Sequence, residues 1–272
     1  RGPLPCFTPK DTPAWFDVTR QDMDSWDPTN WQMVADIDAD GADDVIHISN
    51  IDTGAVLGGE VRLFFAASRT GEFMGRDEAD GLILAERDED GFAYGDEDRN
   101  RTAVADFNGD GYADIAAGAH QQDFTASGIV YIFSGEDLGV GEMSAGDAMA
   151  TLETDVPGAE AVEQLWVSND LDHDGSPELF VMGDIESDSW AGGTIRIFSG
   201  AELVSSGVRD ILGPDATWSP PEEDETCTSR TGASSYVTAN LGDLNGDGWS
   251  DVMLGFSPWD CRKTWLLTGI EY

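Results

Sequence analysis

Apolar residues in this chain fall in short alternating runs, and the runs recur. "GEVRLFFA", "GIVYIFSG", "GTIRIFSG" and "RKTWLLTG" are four versions of one segment. Val61, Leu63 and Phe65 alternate with Arg62 and Phe64 in the first, and Ile195 and Ile197 flank Arg196 in the third. Such alternation, bounded by Gly, Asp and Ser, predicts half-buried antiparallel strands. Ahead of each segment stand two more runs. The earlier ones are "WQMVA", "TAVA", "QLWVS" and "SYVTAN"; the later ones are "DVIHIS", "DIAAG", "ELFVMG" and "DVMLG". Weaker fourth runs follow at "GLILAE", "AMATLE" and "VRDILG". No segment sustains a helical period. The repeating unit is four strands, A to D.

Between strands A and B each unit carries an acidic loop. In "DFNGDGYAD", Asp106, Asn108 and Asp110 place short oxygen-bearing side chains at alternate positions, then come Gly111, Tyr112 and Asp114. Such side chains can all point inward if the loop curls round one ion. The glycine permits the sharp turn, and the next residue can offer its carbonyl. Roughly six to eight oxygens at about 2.3–2.6 Å suit calcium; magnesium, with its tighter octahedron, is the weaker second choice. The other copies are Asp36, Asp38, Asp40, Ala42 and Asp44; Asp170, Asp172, Asp174, Ser176 and Glu178; and Asp243, Asn245, Asp247, Trp249 and Asp251. An EF-hand would need a Glu at loop position 12, where this chain has His47, Ala117, Val181 and Leu254. The expectation is four calcium ions per chain, in loops 36–44, 106–114, 170–178 and 243–251.

The loops start 70, 64 and 73 residues apart. A strand-only repeat of that length predicts an all-β fold, a β-propeller of four-stranded blades. The elements "DFNGDGYADIAAGA…GIVYIFSG" resemble FG-GAP repeats, the blades of the integrin α-subunit propeller. The resemblance covers nearly the whole chain but differs in blade count, seven there and four here. It implies that the ions stiffen the blades while ligands bind the opposite face. Blade four stops at Tyr272, where its strand D should begin, and "AWFDVT" (14–19), within an N-terminal segment 1–30, is a spare strand that could close the ring. One domain, 1–272, with four four-stranded blades is expected; the alternative is an open half-ring completed by another chain.

Charge narrows the partners. The chain has a formal net charge of −40 and a pI near 4.1. Four calcium ions would return only eight of those charges, so the surface is expected to be acidic and to repel nucleic acid. No apolar run reaches the about eighteen residues of a membrane span. The chain starts at Arg1 without a signal sequence, as expected of a mature or trimmed product. Lysine occurs only at Lys10 and Lys263. In the propeller layout Cys227 and Cys261 fall on connections of the face opposite the calcium loops, so a Cys227–Cys261 disulfide is expected, with Cys6 left over. Disulfide and calcium together point to an extracellular or cell-surface location.

No particular set of residues points to catalysis: carboxylate pairs of the kind that hydrolyse glycosides stay open, but so many acidic residues make any one pair uninformative. His47, His120 and His173 belong to different blades or faces, with His173 expected to point to water, and no nucleophile–base signature occurs. An adhesive or scaffolding propeller is the expected function. The partner would be a protein or glycan on the face carrying Trp190, Trp218 and Trp259, or copies of the chain itself in a fibre or coat. Those tryptophans would equally serve as plugs between loops and blade tops.

Overall fold

The structure is a computed structural model and describes residues 15–16, 31–49, 59–66, 73–74, 78–86, 91–93, 100–119, 128–154, 156, 160–184, 194–218, 236–256 and 263–268. It is all-β, built from four antiparallel meanders and one short strand pair. The pair is β1 (Trp15–Phe16) with β5 (Phe73–Met74). The first meander is β2 (Trp31–Ala35), β3 (Asp44–Ser49), β4 (Glu60–Phe64) and β6 (Gly81–Leu84). The second is β7 (Thr102–Ala105), β8 (Asp114–Ala119), β9 (Ile129–Phe133) and β11 (Ala150–Glu153). The third is β12 (Glu160–Val167), β13 (Glu178–Asp184), β14 (Thr194–Ser199) and β16 (Ala216–Trp218). The fourth has, among the described residues, three strands, β17 (Tyr236–Gly242), β18 (Asp251–Phe256) and β19 (Lys263–Thr268).

Two further strands tie one repeat to the previous one. β10 (Gly141–Ser144) lies in the C–D connection of the second repeat and pairs in parallel with β6 of the first. β15 (Val208–Asp210), in the C–D connection of the third, pairs in parallel with β11 of the second. This corrects one expectation. "VRDILG" is this edge strand, and strand D of the third sheet is β16 instead, paired with β14. The edge approach is tight: a Cβ at Gly81 would lie 2.5 Å from the Gly139 carbonyl oxygen, so only glycine fits there.

The hydrophobic cores lie between successive sheets. Ile37 and Leu63 of the first repeat pack with Ile115 and Phe133 of the second. Phe107 and Ile132 of the second pack with Leu179 and Phe198 of the third. Leu171 and Ile197 of the third pack with Val252 and Leu254 of the fourth. A sheet between two neighbours is covered on both faces, so every residue of β8 and β9 is buried. Full burial of each large side chain contributes about 1.5–3 kcal/mol. Close approach also demands small residues: at Gly118 a Cβ would meet Val162 Cγ1 at 2.5 Å. Among the described residues one α-helix of seven residues, α1 (Gly200–Ser206), follows β14 and buries Leu203. It was not expected, because seven residues are too few to show a period. Among the described residues no helix is long and apolar enough to cross a membrane.

Candidate metal centre

Each acidic loop sits at the turn between the first two strands of its sheet. In the second loop the first carboxylate organises the turn from its centre: Asp106 Oδ1 accepts from the amides of Gly109 (2.7 Å) and Asp110 (3.1 Å), and Oδ2 from Gly111 (2.9 Å). Asn108 Oδ1 accepts from Asp110 N at 2.8 Å, and Asp110 Oδ1 from Tyr112 N at 2.8 Å. The fourth loop repeats this scheme on Asp243, Asn245 and Asp247. Short Asp and Asn side chains suit it because they reach backbone amides two to five residues on. The fold of the loop also needs positive φ at two positions. Position 6 is glycine in every copy, with φ of 90°, 93°, 98° and 96°. Position 4 has positive φ as well, at Gly109 and Gly246 but also at Ala39 (55°) and His173 (63°), where a Cβ opposes it.

The result is convergence of oxygen. Carboxylate oxygens of Asp36, Asp38 and Asp40 lie within 4.8 Å of one another, as do those of Asp170, Asp172 and Asp174. In the second and fourth loops the position-3 residue is asparagine, and its Nδ2 donates to Asp110 Oδ2 (2.8 Å) and Asp247 Oδ2 (2.7 Å). Those loops therefore hold one negative charge fewer. Adjacent loops also touch. Ala113 N donates to the Asp36 carbonyl at 3.2 Å, and the His173 ring stacks on Trp249 with centroids 4.2 Å apart. His173 thus leans on the next loop instead of pointing only to water.

Position 9 behaves differently from positions 1, 3 and 5. Asp44, Asp114, Glu178 and Asp251 are all fully buried. Asp114 Oδ2 accepts from Phe107 N and Oδ1 from Gly135 N, both at 2.9 Å, pinning the loop start to the end of strand C. Asp44 does the same with Ile37 N (3.0 Å) and Ala66 N (2.8 Å). Glu178 keeps the loop-start bond but not the one to strand C: its Oε2 accepts from Leu171 N and from the Ser168 hydroxyl, both at 2.8 Å. In that repeat strand C is tied to the loop by the Ser199 hydroxyl, which donates to Asp174 Oδ2 at 2.6 Å. Burial pushes the Asp114 carboxyl up to about 6 and the Glu178 carboxyl up to about 8, against the pull of these hydrogen bonds. Burial also raises Asp44 and Asp172.

Whether a hard cation fits can be judged from what the loops leave unsatisfied. Among the described residues, Asp170 Oδ1, Glu178 Oε1 and Asp251 Oδ1 are buried and accept no hydrogen bond. Buried oxygens without a donor are rare in folded proteins. Three carboxylates held this close also repel unless a positive charge lies among them. The donors are all oxygen, which suits calcium and not zinc or a soft metal. Sequence reasoning missed Ser168, Ser199 and the backbone amides that hold position 9, because an amide donor leaves no mark in a sequence.

The remaining candidate residues separate. Trp218 lies in β16, half-buried and packed against the third core, so it is a strand residue and not an exposed loop aromatic. His47 is buried on β3. Trp190, Trp259, His120, Cys6 and the expected Cys227–Cys261 disulfide lie outside the described residues.

Comparison with known proteins places one of these units directly. The FG-GAP repeat family matches residues 100–133, which take in β7, the second acidic loop, β8 and β9. Among solved structures, the Bacillus licheniformis rhamnogalacturonan lyase PL11 is similar at 15% identity and a TM-score of 0.46, over 82% of this chain and 39% of that one. The chain therefore spans well under half the length of that protein. No curated protein matches. The segment from Asn100 to Phe133, with its acidic loop between the first two strands of the second sheet, is an FG-GAP repeat.

Proposed function

We propose that the chain is an extracellular, calcium-binding β-propeller of four blades that serves adhesion or scaffolding. The observation that carries this reading is the recurrence of one oxygen-lined loop at the same turn of four successive sheets. In it, positions 1, 3, 5 and 9 and the carbonyl of position 7 would hold calcium. The ion would supply charge neutralisation and a fixed turn. The chain's own residues supply the rest: buried position-9 carboxylates couple loop to sheet, and cores between sheets couple one unit to the next. Metal at the turns would thereby stiffen the array as a whole. An acidic exterior and calcium-holding loops suit the outside of the cell, where calcium is abundant.

The proposal assigns the chain no reaction, since its sequence offers no nucleophile–base pair. Recognition falls to loops at the end of the sheets away from the acidic turns. The test is capture of the labelled full chain on a printed array of glycans and purified extracellular-matrix proteins, with calcium and with chelator. Specific capture that weakens at least about tenfold on chelation is expected, since metal stabilises the binding-competent state. Capture of nothing, or equal capture in both buffers, would contradict the reading.

A further inference from the structure

Successive acidic loops are tied together at two of the three boundaries between them, and the residues at the remaining boundary forbid the tie. Between the first and second loops the link is a backbone bond: Ala113 N, at position 8, donates to the Asp36 carbonyl at 3.2 Å. The carbonyl of that same peptide group is Tyr112's, the position-7 oxygen of the second loop. One rigid peptide plane therefore belongs to both loops. Between the third and fourth loops the links are side chains. The His173 ring, at position 4 of the third, lies flat on Trp249, at position 7 of the fourth, with 9° between the planes. Asn240, three residues ahead of the fourth loop, accepts from Asn169 N through Oδ1 (3.1 Å) and donates through Nδ2 to the Val167 carbonyl (3.4 Å), on the run into the third.

The boundary between the second and third loops has none of these parts. Position 8 there is Pro177, which has no N–H to donate. Position 7 is Ser176 and position 4 of the second loop is Gly109, so no two rings can meet. Val167 stands three residues ahead of the third loop, where the fourth repeat has Asn240. The second and third sheets still share a core. Gly200 also lies against Phe107 of the second loop, but its amide donates to Pro177 of its own repeat (3.1 Å).

We infer that the calcium loops fill in two coupled pairs, first with second and third with fourth, and that Pro177 sets the break between the pairs. The inference rests on the calcium reading given above and specifies how the loops fill. In the first pair, ordering Tyr112 as a ligand orders the peptide that also holds Asp36. A carbonyl engaged by a cation makes the N–H of the same peptide the stronger donor. In the second pair, His173 has a φ of 63°, which its Cβ resists, and the stack on Trp249 supports it. Fixing Trp249 in the fourth loop thus fixes His173 between Asp172 and Asp174 of the third. Whichever loop of a pair is ordered first, its partner has less conformational freedom left to lose. Repulsion between the ions opposes this only weakly, because each loop has at least three carboxylates and stays net negative when filled.

Native mass spectrometry of the full chain, titrated with calcium alone, tests the pairing in three variants that each keep two loops. Asparagine at positions 1 and 5 disables the others. D170N/D174N/D243N/D247N keeps the first and second loops, D36N/D40N/D106N/D110N the third and fourth, and D36N/D40N/D243N/D247N the second and third. At mid-titration two independent loops, of equal or unequal affinity, leave at least about half of the chains with a single ion, whereas tenfold coupling leaves about a quarter. About a quarter is expected for the first two variants and at least about half for the third. Half or more singly loaded in every variant would overturn the pairing and leave the calcium reading intact. Suppression of the single ion in the third variant would overturn the break at Pro177. An unsubstituted chain that binds no calcium would sink the reading beneath. Should the loop-disabled chains fail to fold, H173G/N240A decides. It removes both links of the second pair but no proposed ligand, and glycine suits the φ of position 4, as at Gly109 and Gly246. Four ions are expected at saturation, with odd counts at mid-titration rising from about a third of the chains to about half. Odd counts that do not move would overturn the inference.

Discussion

Replacing Asp114 by alanine is expected to cost about 2–6 kcal/mol of stability even in chelator, because it strips the acceptor from two buried amides at about 1–3 kcal/mol each. Those amides belong to Phe107 at the loop start and Gly135 beyond strand C, so the one carboxylate ties the loop to the strand. Asp110 in the same loop is exposed and holds only local partners. Asp110→Ala is therefore expected to cost no more than about 1 kcal/mol in chelator. In calcium both substitutions would also forfeit the ion's contribution. The measurement is the urea midpoint of the three proteins, with and without chelator. Equal losses for D110A and D114A in chelator would show that position 9 is a metal ligand and nothing more.

In chelator the protein is expected to lose stability as pH rises from about 4.5 to about 8, the reverse of ordinary acid denaturation. Burial lifts the folded-state carboxyls of Glu178 to about 8 and Asp114 to about 6, from 4.5 and 3.8. A group raised in the folded state favours folding while it is protonated. Its contribution is full below the unfolded value and is lost as pH climbs through the folded value. For Glu178 the loss is on the order of 5 kcal/mol, with Asp114 adding a smaller step, on the order of 3 kcal/mol, at lower pH. Growing repulsion within a chain of net charge −40 acts in the same direction. Glu178→Gln isolates the effect, since the uncharged amide should flatten the upper part of the profile. With calcium present the ionised forms are the favoured ones, and the decline should shrink or reverse. A chelated midpoint that rises across this window would contradict the account.

The acidic loops were legible because their information is local: alternating oxygen side chains and a glycine within nine residues set the whole turn. The A, B and C strands were legible for a similar reason, since core-facing positions recur at the same distance from each loop. What escaped depends on neighbours. Val208–Asp210 has the pattern of a strand D and lies where one should be, yet it pairs with the edge of the previous sheet. Only the position of β11 distinguishes the two roles. Trp218 looked like a loop aromatic beside "SPPEED" but closes the third sheet. The buried role of position 9 was hidden because its partners, Ala66 and Gly135, lie 22 and 21 residues away and contribute only a backbone N–H. The alternation of Asp36, Asp38 and Asp40 marks the ring; nothing comparable marks the amides that hold Asp44.

On the function proposed above, each of the four equivalent loops holds one hard divalent ion. Native mass spectrometry of the full chain from a calcium-containing volatile buffer tests it most directly. Four calcium ions per chain are expected, falling to three in a D106N/D110N double variant whose second loop has lost two of its carboxylates. A chain that retains no calcium, or binds it in numbers indifferent to that substitution, would reduce these loops to acidic turns held by their own amides.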